Sequence, residues 1–163
     1  MNIIKKLGTP NQVNGRKGFV PKAVVLHITD SSFDSAMNTF FNPSDEKSAH
    51  YLINSLGDIY KLVEETDTAW HAGKTILSTW KGIEKDNPNL YTVGIEVALK
   101  ANEFPTWSQW VETAKLVKDI CVRWNIPQNE LGIVNHNEIN GAKVCPGKWI
   151  TRFWVIMLNK VII

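Results

Sequence analysis

Two apolar runs constrain this chain more than any other feature. Ala23 to Thr29 reads AVVLHIT and Tyr91 to Leu99 reads YTVGIEVAL. Both are rich in β-branched residues, and the first lies between Pro21 and the turn-forming Asp30-Ser31-Ser32, so both are expected as buried strands. One ionisable residue interrupts each run, His27 in the first and Glu96 in the second. In a pleated strand Val25, His27 and Thr29 share one face, so the imidazole leaves the sheet in a defined direction. A lone carboxylate at Glu96 is costly to bury unless it is paired or hydrogen-bonded.

The other segments supply partners for such a sheet. SSFDSAMNTFFN offers a cap and a short amphipathic helix, and SAHYLINSLGDIYKLV a hairpin around Gly57-Asp58. A longer helix is expected from Thr106, where Thr106 and Gln109 match a capping box, to about Trp124 before Pro127. Trp110, Ala114, Val117, Cys121 and Trp124 recur along it at spacings of three and four, which makes Cys121 a core cysteine. LGIVNHNE suggests one more short strand and WITRFWVIMLNKVII a closing helix. WHAGKTILSTWKGIEKDNPN has no clean period and is expected as loop with short helical pieces. Strands and helices in mixed order predict an α/β fold, a mixed central β-sheet flanked by helices, as a single domain over residues 1–163. The length of 163 residues, with 44% hydrophobic and 21% charged residues, suits one ordinary globular core.

A formal net charge of +2 is too slight to argue for nucleic acid. No apolar run is long enough to span a bilayer, so no membrane insertion is expected. MNIIKK places its apolar residues before its lysines and is too short for a signal h-region. The chain is therefore expected to be made in the cytoplasm with reduced thiols, its cysteines buried or ligating rather than bridged.

NHNEINGAKVCPG, Asn135 to Gly147, concentrates chemistry in His136, Lys143 and Cys145. A thiolate and a neutral imidazole are both good Zn²⁺ ligands, and His27 offers a third from a distant strand. Three protein ligands leave a fourth position open, as a catalytic zinc requires. Taken alone, a His and a Cys nine residues apart form no standard zinc motif, and a structural histidine reads equally well.

VVLHIT, SAHYLIN, WHAG, VGIEVAL and NHNEINGAKVCPG, in that order, resemble the type 2 family of zinc-dependent N-acetylmuramoyl-L-alanine amidases. That family includes phage endolysin catalytic domains, the T7-type lysozyme amidase and the peptidoglycan recognition proteins. The resemblance spans about Ala23 to Trp149. It implies one Zn²⁺ held by His27, His136 and Cys145, in a groove on a peptidoglycan-recognition-like fold. It further implies hydrolysis of the amide between N-acetylmuramic acid and the L-alanine of the stem peptide, with cell-wall peptidoglycan as the partner. Glu96 is the candidate for proton transfer, since a carboxylate in an apolar strand should have a raised pKa. Lys143 is either a solvated surface lysine or the cation that steadies the oxyanion. If its segment is extended, its side chain and that of Cys145 point the same way. His71 matches a groove position that contacts substrate, or is a loop histidine without a task; Trp70 walls the groove or covers the core. Several relatives carry a tyrosine immediately before the histidine of the HYLI motif, where this chain has Ala49. Tyr51, expected on the strand face of Ala49, is the weak substitute, and His50 is expected as a structural hydrogen-bonding histidine.

Two other functions compete. A cysteine hydrolase would use Cys145 as nucleophile, although Pro146 has no N–H to offer an oxyanion hole. A wall-binding module without catalysis would be expected to lack a metal ligand. The resulting expectation is a monomeric endolysin that acts on the cell wall.

Overall fold

The computed structural model describes residues 1–84 and 87–161. Eight strands and four α-helices run in the order β1 (Ile3–Lys5), β2 (Gln12–Val13), β3 (Ala23–Ile28), α1 (Phe33–Phe41), β4 (Tyr51–Ile53), β5 (Ile59–Lys61), β6 (Thr68–Ala69), β7 (Thr92–Val97), α2 (Trp107–Trp124), β8 (Ile133–Asn135), α3 (His136–Ile139) and α4 (Arg152–Val161). Six strands form one mixed sheet in the order β1-β5-β4-β7-β3-β8, while β2 and β6 pair separately. β3 lies parallel to both β7 and β8, and β4 pairs parallel with β7 but antiparallel with β5. The expected mixed sheet flanked by helices is thus present.

Both long apolar runs occupy the middle of the sheet because they are covered on two faces. Odd-numbered positions of β3 register with even-numbered positions of β7: Ala23 with Thr92, Val25 with Gly94, His27 with Glu96. In parallel pairs such partners project from the same face. The opposite face, with Val24, Leu26, Val93 and Ile95, is buried under α2 and α4. Its helical cover follows the expected stripe, since Ala114, Val117 and Cys121 of α2 are buried there and Trp110 and Trp124 pack at its edge. Thr106 and Gln109 form the capping box, and Gln109 Nε2 also donates to the Ala98 carbonyl at 2.9 Å, tying the helix start to the end of β7.

On the His27 face, α1 covers one side with Ala36 and Phe40 against Leu52 and Leu62. Ser32 caps α1 through the Ser35 amide. The base of that face is closed by Ala23, Val25, Ala72, Tyr91, Val134 and Ile139. Between the two clusters, near the carboxyl ends of β3 and β7, the sheet is left open, where open α/β sheets commonly place ligands. The β4–β5 hairpin turns at Gly57, whose φ of +88° suits glycine. Among the described residues of the expected loop after Trp70, one 3₁₀ turn forms at Pro88–Leu90. Lys85 and Asp86 of that loop, and Ile162 and Ile163 of the closing helix, lie outside the described residues.

Candidate metal centre

His27 leaves β3 one residue before its end, buried to 1% exposure. His136 is the first residue of α3, directly after β8. Asn135 N donates to the Glu138 carboxylate at 2.7 Å, and Arg152 N donates to Asn135 Oδ1 at 2.9 Å. Arg152 Nη1 lies 2.8 Å from each Glu138 oxygen, so the starts of α3 and α4 are locked together beneath His136. Cys145 arrives on a turn. The Asn137 amide donates to its carbonyl at 2.9 Å, and the Ile28 amide donates to its sulfur at 3.3 Å. One ligand atom from each of His27, His136 and Cys145 lies within 4.8 Å of the others. Such a group can hold a metal ion.

The protonation states suit that task. Burial lowers the pKa of His27 well below the ordinary imidazole value, and His136 and His71 add to the effect. His136 is likewise lowered, by burial first. Both rings are therefore neutral near pH 7, as ligation requires. Burial and the nearby Glu96 push the Cys145 thiol upward, so without a cation the sulfur keeps its proton. That is the reverse of what a thiol nucleophile needs.

Glu96 Oε1 stands 3.9 Å from His27 Nδ1, and Glu96 Oε2 is buried without a hydrogen-bond partner. Burial raises its pKa to about 8, partly opposed by Lys47. A carboxyl so placed can hold or release a proton near neutrality.

These groups border a cavity of about 620 Å³, whose walls include Lys47, Trp70, Asn89, Asn140 and Lys143. Lys143 is exposed, and its charge disfavours protonation of both His136 and Cys145. Its segment is not extended. Lys143 N donates to Asn140 O and Gly147 N to Val144 O, so successive turns rather than a strand carry the lysine to the cavity. Trp70 is half-buried at the wall, its amide held by Ser48 Oγ at 2.9 Å.

Two expectations need correction. Tyr51 does not border the cavity. It is 1% exposed, belongs to the core under α2, and its hydroxyl donates to Glu65 Oε1 at 2.6 Å. Ala49 precedes β4, so strand alternation does not reach it; it packs with Leu52 under α1, while Tyr51 points to the other face. His71 borders the cavity but has both ring nitrogens engaged inside the protein, Nδ1 lying 3.1 Å from His27 Nε2 and Nε2 lying 3.2 Å from Thr92 Oγ1. No ring nitrogen is left over to contact a substrate. His50 is the expected structural histidine: Gly94 N donates to its Nδ1 at 3.0 Å, and its Nε2 faces the Asp67 carbonyl at 3.3 Å.

Two residues near the site escape sequence reasoning. Arg16, 5% exposed, donates through Nη1 to the carbonyls of Asn89, Leu90 and Thr92 at 3.0–3.1 Å, and its Nη2 lies 2.8 Å from His50 Nε2. Asn89 Oδ1 accepts from the amides of His71 at 3.1 Å and Ala72 at 2.7 Å. Neither announces itself locally; the one usable signal is turn chemistry in the DNPN stretch, which does not name its tertiary partners.

The molecule is thus an α/β sheet protein with a His₂Cys group able to hold a metal ion on the floor of an open cavity. The family model described as N-acetylmuramoyl-L-alanine amidase matches residues 16–148, and the chain belongs to that family. It is 38% identical over 104 residues to N-acetylmuramoyl-L-alanine amidase A of Achromobacter lyticus, covering 62% of this chain and 51% of that one. With N-acetylmuramoyl-L-alanine amidase AmiD of Escherichia coli K12 it shares 31% identity over 135 residues, covering 72% of this chain and 45% of the relative. The chain thus spans about half the length of these two relatives. The solved structure of PlyL superposes with a TM-score of 0.74 at 19% identity, covering 98% of this chain and 97% of that one, which supports the fold.

Proposed function

We propose that this chain is a zinc-dependent N-acetylmuramoyl-L-alanine amidase, hydrolysing the amide between N-acetylmuramic acid and the L-alanine of peptidoglycan stem peptides. One observation carries the reading: two imidazoles and a sulfur converge within 4.8 Å, with Glu96 beside them, on the floor of an open cavity. A tetrahedral zinc separates nitrogen and sulfur ligands by roughly 3.3–3.6 Å, given ordinary Zn–N and Zn–S lengths. His27 Nδ1 and Cys145 Sγ, 3.8 Å apart, need little adjustment to meet that spacing. His27, His136 and Cys145 would hold the ion, which when bound supplies Lewis acidity to polarise the scissile carbonyl and to acidify water.

The chain's own groups do the rest. Glu96 takes the proton from the attacking water and delivers it to the departing amide nitrogen. Lys143 places positive charge where the carbonyl oxygen becomes negative, an arrangement that acts mainly on the transition state. Trp70 offers a flat apolar wall for a sugar or peptide. His71 acts behind His27 rather than on substrate.

Peptidoglycan is the partner, and the biological setting is that of a monomeric phage endolysin acting on the cell wall. Two solved structures of similar fold bear endolysin titles, one from Bacillus subtilis and one from Clostridium intestinale. Among the described residues no helix is long and apolar enough to cross a membrane.

The test combines metal analysis of the purified protein with an assay for alanine amino termini freed from cell walls. One zinc per chain, and amino termini that appear with metal and vanish reversibly on chelation, are expected. Activity that survives chelation but dies on thiol alkylation would transfer the chemistry to Cys145. Wall binding without release of amino termini would leave a recognition module.

A further inference from the structure

Hydrogen-bond valence fixes more about this centre than its ligand set. The Thr92 hydroxyl lies 2.7 Å from the Pro88 carbonyl, which can only accept, so the hydroxyl proton is committed there. Thr92 Oγ1 must then accept from His71 Nε2 at 3.2 Å. His71 Nδ1 is consequently bare and accepts from His27 Nε2 at 3.1 Å. The ladder leaves His27 Nδ1 without a proton, and that is the nitrogen facing Cys145 Sγ at 3.8 Å. His136 reaches the same state by a separate route, its Nε2 donating to the Ala72 carbonyl at 3.2 Å and leaving Nδ1 bare.

Both routes end on adjacent residues, His71 and Ala72. Each backbone amide of that pair donates to a single atom, Asn89 Oδ1. Two donors demand an acceptor, so the carboxamide can be oriented only one way. Asn89 is itself pinned, because Arg16 holds its carbonyl and those of Leu90 and Thr92.

We propose that Asn89 is a positioning residue of the metal centre: by clamping the His71 and Ala72 amides with one oxygen, it fixes the ring orientation and tautomer of both histidine ligands together. This rests on the metal reading above. Partners of this kind typically govern metal affinity by about 10–100-fold.

The test is a competition titration of Zn²⁺ into metal-free protein against a chromophoric chelator. Asn89→Ala should bind zinc about 10–100-fold more weakly than the parent, whereas Asn89→Asp, which keeps an acceptor for both amides, should recover most of the affinity. Circular dichroism establishes that the variants are folded. A folded Asn89→Ala with parental zinc affinity overturns the inference and leaves the metal reading standing; a parent that binds no zinc removes both. Because Asn89→Ala loses a buried acceptor and can fail to fold, the imidazole tautomers of the metal-free parent are also read by long-range ¹H–¹⁵N NMR. His27 and His136 should both carry their proton on Nε2, and an Nδ1–H form of either ring overturns the proposal.

Discussion

Gly94→Ala isolates the layer behind the candidate metal ligands, because the nearest atoms its methyl group would meet belong to the His71 ring and to none of the three ligands. A methyl group is small, and on an extended strand exchanging glycine for alanine ordinarily stabilises by about 0.4–1 kcal/mol through the unfolded chain. Here a Cβ at residue 94 would fall 2.4 Å from His71 Cγ and 2.6 Å from Nδ1. Unstrained carbon contacts begin near about 3.5 Å, so the ring must retreat by roughly 1 Å. The strand cannot yield instead, since β7 is laddered to β4 on one side and β3 on the other. The ring packs edge-on against both His27 and His50, so a retreat disturbs both contacts. Its hydrogen bonds, already 3.1 and 3.2 Å long, do not survive a shift of that size. Thr92 keeps its bond to Pro88, so the orphaned donors are His27 Nε2–H and His71 Nε2–H. Losing each acceptor costs about 1–3 kcal/mol, and the overpacking adds about 1–3 kcal/mol more. The expected result is a destabilisation of about 3–9 kcal/mol and a Tm lowered by roughly 10 °C or more for a chain of this size. Zinc affinity should fall together with stability. Urea unfolding of the metal-free protein followed by tryptophan fluorescence gives the first number, and chelator competition the second. A variant as stable as the parent, with zinc affinity unchanged, would refute the reasoning that the His71 ring braces His27.

Cys145→Ala should abolish zinc retention and amidase activity together; full activity would remove Cys145 from the ligand set. Glu96→Gln should keep fold and zinc while losing about 10²–10⁴-fold in turnover, the usual worth of a positioned proton carrier. An unimpaired Glu96→Gln would place proton transfer elsewhere. Lys143→Met should lower kcat more than it raises KM, because the charge matters chiefly as the oxyanion forms, and an effect confined to KM would make Lys143 a binding residue. Glu65 gives a prediction for pH. Burial pushes its pKa upward, but hydrogen bonds from Arg123, Tyr51 and Trp124 outweigh that and hold it below its ordinary 4.5. A carboxylate depressed by folding contributes stability above that ordinary value and loses it as pH falls through the folded value. Urea midpoints measured downward from pH 5 should therefore fall less steeply in Glu65→Gln than in the parent; identical acid limbs would show that the network does not stabilise the charged form.

What the sequence made legible, and what it hid, divide along the reach of the physics involved. Local periodicity located β3, β7, α1 and α2, because branched apolar runs and a capping box act within a few residues. It did not locate β2 and β6, whose two residues each are too few to show any period. His27 and Glu96 stood out singly, as ionisable groups that an apolar strand would not otherwise keep. Their closeness was not legible, because it depends on the register that sets residue 27 of β3 beside residue 96 of β7. Tyr51 shows the converse failure: alternation was extended to Ala49, two residues outside β4, where the backbone no longer alternates. Lys143 reaches the cavity on turns that close onto Asn140 and Val144, so the condition of an extended segment, under which its side chain would share a side with that of Cys145, is not met. His71 borders the cavity as the resemblance implies, but sequence shows a side chain's capacity for hydrogen bonds and not how much of it is already used. In the structure both ring nitrogens are occupied, and the direction of their donors follows from one carbonyl at Pro88. Tautomer selection in this centre is therefore a long-range property of backbone geometry. On the proposed metal reading, a histidine at the right place in the motif is necessary for ligation, and the segment from Pro88 to Thr92 decides which nitrogen His27 presents.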